Sequence, residues 1–316
     1  MRGWWQDLTD LVLPAECGGC GMPRTALCPE CRAALDGAVP SRVRPVPEPP
    51  GLPVVHAAAR YADEVRAVLL AHKERGALAL AAPLGTALAE AVRAGLREAR
   101  RSGRGTARRD GPLLLVPVPS ARAAVRARGH DPARRIALAA AGELRRTGTP
   151  ARVLAVLRQR RAVADQSGLD ARQRLDNLAD ALAVVPGGAR LLRGGQVVLV
   201  DDLMTTGASL AEAARAVRAA RSERERHEPP TTGGGRGRGR VPQTVEMTAV
   251  YPAATREGRK ERTTGTGNEG AVTGNEGVGR GRRAPGTTEA EAAGPDAVVC
   301  AAVVAAPPDS FEINRN

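Results

Sequence analysis

Aromatic side chains are almost missing from these 316 residues, which hold two Trp, two Tyr and one Phe. A core without large rings has to be filled by Ala, Val and Leu. Side chains that small pack densely where helices lie close on a Val-rich sheet, which points to an α/β fold. Lysine and isoleucine are nearly as scarce: of 47 basic residues only Lys73 and Lys260 are lysine, and the isoleucines are Ile136 and Ile313. That pattern reads as a bias toward Arg and Ala, so the formal charge of +13 says less about a polyanionic partner than it otherwise would. No charge-free stretch reaches membrane-spanning length, and Asp7 and Asp10 interrupt the opening "MRGWWQDLTDLVLP", which therefore lacks the core of an export signal. The opening is expected to form a short amphipathic helix with Trp5, Leu8 and Leu11 or Val12 on one side. The expected compartment is the cytoplasm, where disulfides are rare.

What the chain does have begins with "CGGCGMPRTALCPEC", in which Cys17, Cys20, Cys28 and Cys31 form two Cys-x-x-Cys knuckles a short loop apart. Four thiolates so spaced can converge tetrahedrally on Zn²⁺, and Gly18, Gly19 and Gly21 permit the tight turns. A redox Cys-x-x-Cys usually comes singly on a thioredoxin-like pattern, so a closed structural zinc site is the better reading. Cys300, in "AVVCAAVVAA", fits a buried strand.

The rest divides by composition. Residues 1–45 hold the opening helix and the cysteine ribbon, and a proline-rich connector, "VPSRVRPVPEPPGLP", follows them. Residues 46–221 alternate helical stretches (Asp63–His72, about Leu78–Arg100, and "DPARRIALAAAGELRR") with the apolar runs "LLLVPVP", "RVLAVLR", "ALAVVP" and "QVVLV". Short β-branched runs alternating with helices predict an open, mostly parallel sheet. Residues 222–296 are rich in Gly, Arg, Thr and Glu and are expected to be a disordered insert, interrupted by a weak strand at "QTVEMTAVY". Residues 297–316 return to the sheet with one more strand.

The densest chemistry lies in "VVLVDDLMTTGASL", Val197–Leu210. Ligands of open α/β sheets sit beyond the carboxyl ends of the strands, where Asp201 and Asp202 are expected. Ser209 and Glu212 suggest a capping box opening the next helix. Between the aspartates and that helix Thr205, Thr206, Gly207 and Ser209 offer hydroxyls and unpaired N–H groups at a helix N-terminus, a cradle for an anion. Two carboxylates beside a phosphate cradle make sense if the ligand carries both a phosphate and vicinal hydroxyls, as a sugar phosphate does. No lysine follows the glycine as a Walker loop requires, and no GxGxxG is present.

This stretch resembles the phosphoribosyl pyrophosphate motif of type I phosphoribosyltransferases. With the cysteine knuckles, "HKERG", "VPVPSARAAVRARGHDPARRIA" and "ADQSGLDARQRLDNLADAL" in this order, the chain resembles the ComF family of competence-related, phosphoribosyltransferase-like proteins. The resemblance implies a type I phosphoribosyltransferase fold in which Asp201 and Asp202, the expected catalytic pair, hold the ribose hydroxyls and Thr205, Thr206, Gly207 and Ser209 the 5′-phosphate. It places pyrophosphate near Arg126 and Arg128, with Mg²⁺ bridging its oxygens and those of the sugar, and puts Gln166, Arg174 and Asn177 on a mobile loop over the site. It further implies transfer of phosphoribosyl to a base or amine and a part in DNA uptake or processing. The alternative is a non-enzymatic accessory that holds single-stranded DNA and retains the sugar-phosphate pocket, against which the lack of aromatic stacking platforms counts. Family members commonly carry an aromatic, Asn and Gln where this chain has His130, Asp131 and Pro132.

Overall fold

Small side chains do build the sheet. The computed structural model describes residues 16–103, 111–161, 173, 177–227 (side chains to 222) and 298–311. The opening helix, Gln166, Arg174, the strand expected at 243–251 and the insert from 228 onward lie outside the described residues.

The described elements run α1 (Pro29–Asp36), β1 (Ser41–Val43), β2 (Val55–Arg60), α2 (Asp63–Glu74), α3 (Ala81–Arg101), β3 (Leu113–Pro117), α4 (Arg122–Arg128), α5 (Pro132–Arg146), β4 (Ala151–Val153), β5 (Leu157–Gln159), β6 (Leu182–Val184), α6 (Gly188–Leu192), β7 (Gln196–Leu203), α7 (Ala208–His227) and β8 (Cys300–Ala306). Six strands form one sheet in the order β1-β2-β8-β7-β3-β4. Every neighbouring pair is parallel except β1 with β2. The protein is therefore α/β, with a mostly parallel sheet covered on both sides.

Period two sorts the central strands. Leu113, Leu115, Val198, Val200, Cys300, Ala302 and Val304 face one core layer with α2, α3 and α5. Leu114, Val116, Val197, Leu199, Ala301 and Val303 face the other, against α7. On α3, Leu84, Leu88, Val92 and Ala99 recur at helical spacing and are buried, and each fully buried leucine contributes about 2 kcal/mol. Glycines let the layers close up: a Cβ at Gly85 would stand 2.8 Å from the Ala140 nitrogen of α5, and one at Gly95 2.8 Å from Cys300 Sγ of β8. Close approach replaces bulk in a core nearly without rings.

Several elements depart from the sequence-based expectation. β2, the Ala-rich "VHAAAR", carries little strand propensity, yet five of its six residues are buried under α3, and tertiary packing decides it. The proline-rich connector contains β1, whose far edge meets Phe311. "RVLAVLR" is two strands, of which β4 joins the sheet and β5 pairs antiparallel with β6 in a separate ribbon. β5 and β6 are half-exposed, and strands of three residues do not specify which sheet they join. "SARAAVRAR", expected as a loop, holds the helix α4, closed by Gly129 in the left-handed region. α7 continues to His227, past the expected start of the insert. Asp131 caps α5 through the Arg134 N–H, with Pro132 in the first turn.

Candidate functional site

β3 leads through α4 and α5 to β4 on one side of it, whereas β7 leads through α7 to β8 on the other. The connections therefore diverge between the neighbouring strands β3 and β7, the place where open sheets leave a crevice at the carboxyl ends. Pro117 pairs with Val200 there, and the Val118 N–H donates to the Val200 carbonyl at 2.9 Å.

Asp201 and Asp202 still belong to β7, which runs three residues further than the apolar run suggests. The Asp202 N–H donates to Asp201 Oδ1 at 2.9 Å. Asp202 is buried and Asp201 half-buried. Burial, and then the charge of Asp202, push the Asp201 carboxyl well above the usual carboxylate range, with Lys73 acting the other way. Lys73, at the end of α2, closes an ion pair of 2.9 Å from Nζ to Asp202 Oδ2. Burial opposes its charge, but Asp202 and Asp201 outweigh that and hold Lys73 above its ordinary value.

The anion cradle takes a simpler form than a capping box. α7 opens at Ala208, and the Gly207 carbonyl accepts the Ala211 N–H at 2.9 Å, which makes Gly207 the cap. Ser209 lies within the first turn instead. Glu212 turns away to accept the Leu182 N–H at 2.9 Å and to bind Arg215, tying α7 to β6. Gly207 has φ +74°, and a Cβ there would meet Leu52 and Pro45 of the connector at 3.1 and 3.2 Å. Thr205 is exposed, and Thr206 and Ser209 are half-buried around this helix end.

Arg126 and Arg128 sit on the last turn of α4. Arg126 is exposed, whereas Arg128 Nε meets Glu74 Oε2 at 3.3 Å, one residue along from Lys73. His130 locks this corner, its Nε2 lying 3.1 Å from the His72 carbonyl and its Nδ1 3.2 Å from that of Arg128. His72 is fully buried, and burial lowers its proton affinity. Its Nε2 and one terminal nitrogen of Arg128 have no hydrogen-bond partner among the described residues. The Asn177 carbonyl accepts from Arg161 at 2.9 Å, and the next residue, Leu178, clusters with Ala181 and with Ala208 at the start of α7. The structure thus joins Asp202, Lys73, Glu74, Arg128 and His130 into one chain of contacts. Lys73, Glu74 and His130 escaped the sequence-based choice of residues, although a lysine in so arginine-rich a chain was a usable signal.

The second constellation is the cysteine cluster. The Cys17 N–H bonds the Met22 carbonyl at 2.7 Å and the Cys28 N–H reaches Cys17 Sγ at 3.3 Å, while Cys28 caps α1. All four sulfurs lie within 4.8 Å of one another, and a Cβ at Gly19 would stand 2.5 Å from Cys31 Sγ. Against the opposing pull of burial, N–H groups of Cys28, Cys20 and Gly19 bring Cys17 down to about 6. Burial and the other three sulfurs push Cys31 up. Four thiols so crowded cannot all ionise without a cation, and the set is compatible with a structural metal such as zinc. None of the five cysteines forms a disulfide. Cys17, Cys28 and Cys31 share the core layer of Val68, Leu80 and Leu84.

Among the described residues no helix is long and apolar enough to cross a membrane. In comparisons with family models, curated proteins and solved structures, nothing matches this chain.

Proposed function

We propose that the chain is a type I phosphoribosyltransferase-like protein of the ComF kind, which binds phosphoribosyl pyrophosphate and transfers its phosphoribosyl group to a base or amine. The single observation that carries this reading is the pairing of two carboxylates with a helix N-terminus, capped by a left-handed glycine, where the connections of β3 and β7 diverge.

In this reading the N–H groups at Ala208 and Ser209, with the Thr205 and Thr206 hydroxyls, hold the 5′-phosphate. Asp201 and Asp202 accept hydrogen bonds from the ribose 2- and 3-hydroxyls and fix the ring. The bond from C1 to the pyrophosphate oxygen breaks, its electron pair leaves with pyrophosphate, and the acceptor nitrogen forms the new bond to C1 through an oxocarbenium-like state. The two carboxylates also favour the positive charge that develops on the ring, and Arg128 favours the leaving anion. Mg²⁺, bound with the diphosphate, would offset part of its charge. The four cysteines hold Zn²⁺ as a structural element.

The test is pyrophosphate release from phosphoribosyl pyrophosphate with a panel of bases and amines. Release with one acceptor supports the transferase. Tight binding of single-stranded DNA, steeply weakened by salt, without any release favours the accessory role instead.

A further inference from the structure

Nearly every basic residue in this chain is arginine, yet position 73 keeps a lysine, and its Nζ lies 2.9 Å from Asp202. The two residues differ where release matters. A guanidinium grips a carboxylate with a rigid fork, whereas an ammonium is a compact charge with three rotatable donors on a flexible stem. Lys73 is 34% exposed against 9% for Asp202, so the ammonium stands between a buried carboxylate and solvent. Next along, Glu74 engages Arg128 at 3.3 Å. Asp201 and Arg128 are the other charges felt at Lys73. Two cations are therefore each occupied by a carboxylate where α2 meets the end of α4.

We propose that Lys73 and Arg128 form a diphosphate-reading pair, occupied by Asp202 and Glu74 in the ligand-free protein and transferred to the ligand's diphosphate when its ribose hydroxyls take over Asp202. This rests on the sugar-phosphate reading above. The exchange keeps every buried charge partnered: hydroxyl donors replace the ammonium at Asp202, and phosphate oxygens replace Asp202 at the ammonium. A sugar phosphate without a diphosphate at C1 supplies only the first half, so it either displaces Lys73 to no partner or leaves Asp202 blocked. Lys73 is thereby a specificity residue for ligands charged at both ends of the sugar.

Calorimetric titration of the full chain with Mg²⁺ and either phosphoribosyl pyrophosphate or ribose 5-phosphate tests this, in the wild type, Lys73→Met and Lys73→Arg, with circular dichroism as the fold control. The wild type is expected to prefer the diphosphate. Lys73→Met is expected to lose about thirtyfold toward phosphoribosyl pyrophosphate and less than about threefold toward ribose 5-phosphate. Lys73→Arg, which keeps the charge and the ion pair, is expected to lose about tenfold toward the diphosphate, because its fork releases Asp202 less readily. It also carries the comparison should the Met variant fail to fold. Equal losses for both ligands, or a wild-type preference retained in either variant, overturn the proposal while leaving the pocket intact. Binding of neither ligand by the wild type instead overturns the functional reading on which it rests.

Discussion

The cysteine cluster and the acidic strand end are built on opposite plans. The first draws its four sulfurs from fifteen consecutive residues, held by local turns and one helix cap. The second draws on the ends of α2, α4 and β7 and the start of α7, which together span more than a hundred residues of the chain. A site made locally is legible as spacing, because the backbone between its members is too short to do anything else. A site made by tertiary contact shows only the fragments that happen to be chemically conspicuous, here "DD" and "TTG". Yet the two are not independent in energy, since Cys28 and Cys31 pack into the same layer as α2, whose last turn carries Lys73.

That shared layer gives the largest expected effect. Removing the metal with a chelator, or replacing Cys28 and Cys31 together by Ser, is expected to lower stability by about 4 kcal/mol or more. In urea melts followed by circular dichroism the loss should include helix from α2 and α3 rather than the cysteine segment alone. An unchanged main transition would show that the two regions are separable.

The next effect belongs to the acidic pair. Asp201→Asn with Asp202→Asn is expected to cost about 3 kcal/mol in phosphoribosyl pyrophosphate binding, about two decades in affinity, through two lost charge-assisted hydrogen bonds. Calorimetry with ribose 5-phosphate and its 2-deoxy analogue sharpens the assignment. The wild type should prefer the ribose form and the double variant should not, and equal wild-type affinities would remove the hydroxyl role.

Gly207→Ala probes the cradle. With φ +74° and the Leu52 and Pro45 side chains closer to an added Cβ than ordinary van der Waals contact, it is expected to destabilise by about 1 to 2 kcal/mol. It should also weaken binding of ribose 5-phosphate and of its 2-deoxy analogue alike, because the cradle reads the phosphate and not the hydroxyls.

The smallest effect is a pH dependence. A carboxyl raised in the folded state binds its proton more tightly there than in the unfolded chain. Its stabilising contribution is fully present below the ordinary carboxylate value and is lost as pH rises through the raised one. Asp201→Asn should therefore flatten the fall in stability above that range and gain about 1 kcal/mol at neutral pH, read from melts between pH 4 and 8. A variant less stable than wild type at pH 7 would mean that Asp201 is better solvated than its burial implies.

Periodicity and local spacing were enough for much of the molecule. The α/β class, the helices α2, α3 and α5, the strands β3, β7 and β8 and the convergence of four cysteines all follow from patterns a few residues long. Nothing local marked β2, whose alanines become a strand because α3 covers them, or the split of "RVLAVLR" between two sheets. Ser209 and Glu212 matched a capping box in spacing, but Glu212 found a better partner in the unpaired Leu182 N–H of a distant ribbon. Lys73 lies in "HKERG", but nothing in that motif assigns it to Asp202, because ion pairing depends on distances that only chain crossing sets. The sequence by itself determined which chemistry was present at the strand end, two carboxylates and a helix N-terminus, since those are covalent neighbours. Only the tertiary structure decided that a lysine from α2 would neutralise one of those carboxylates, because Coulomb attraction in a buried site acts between whatever the fold brings within a few ångströms.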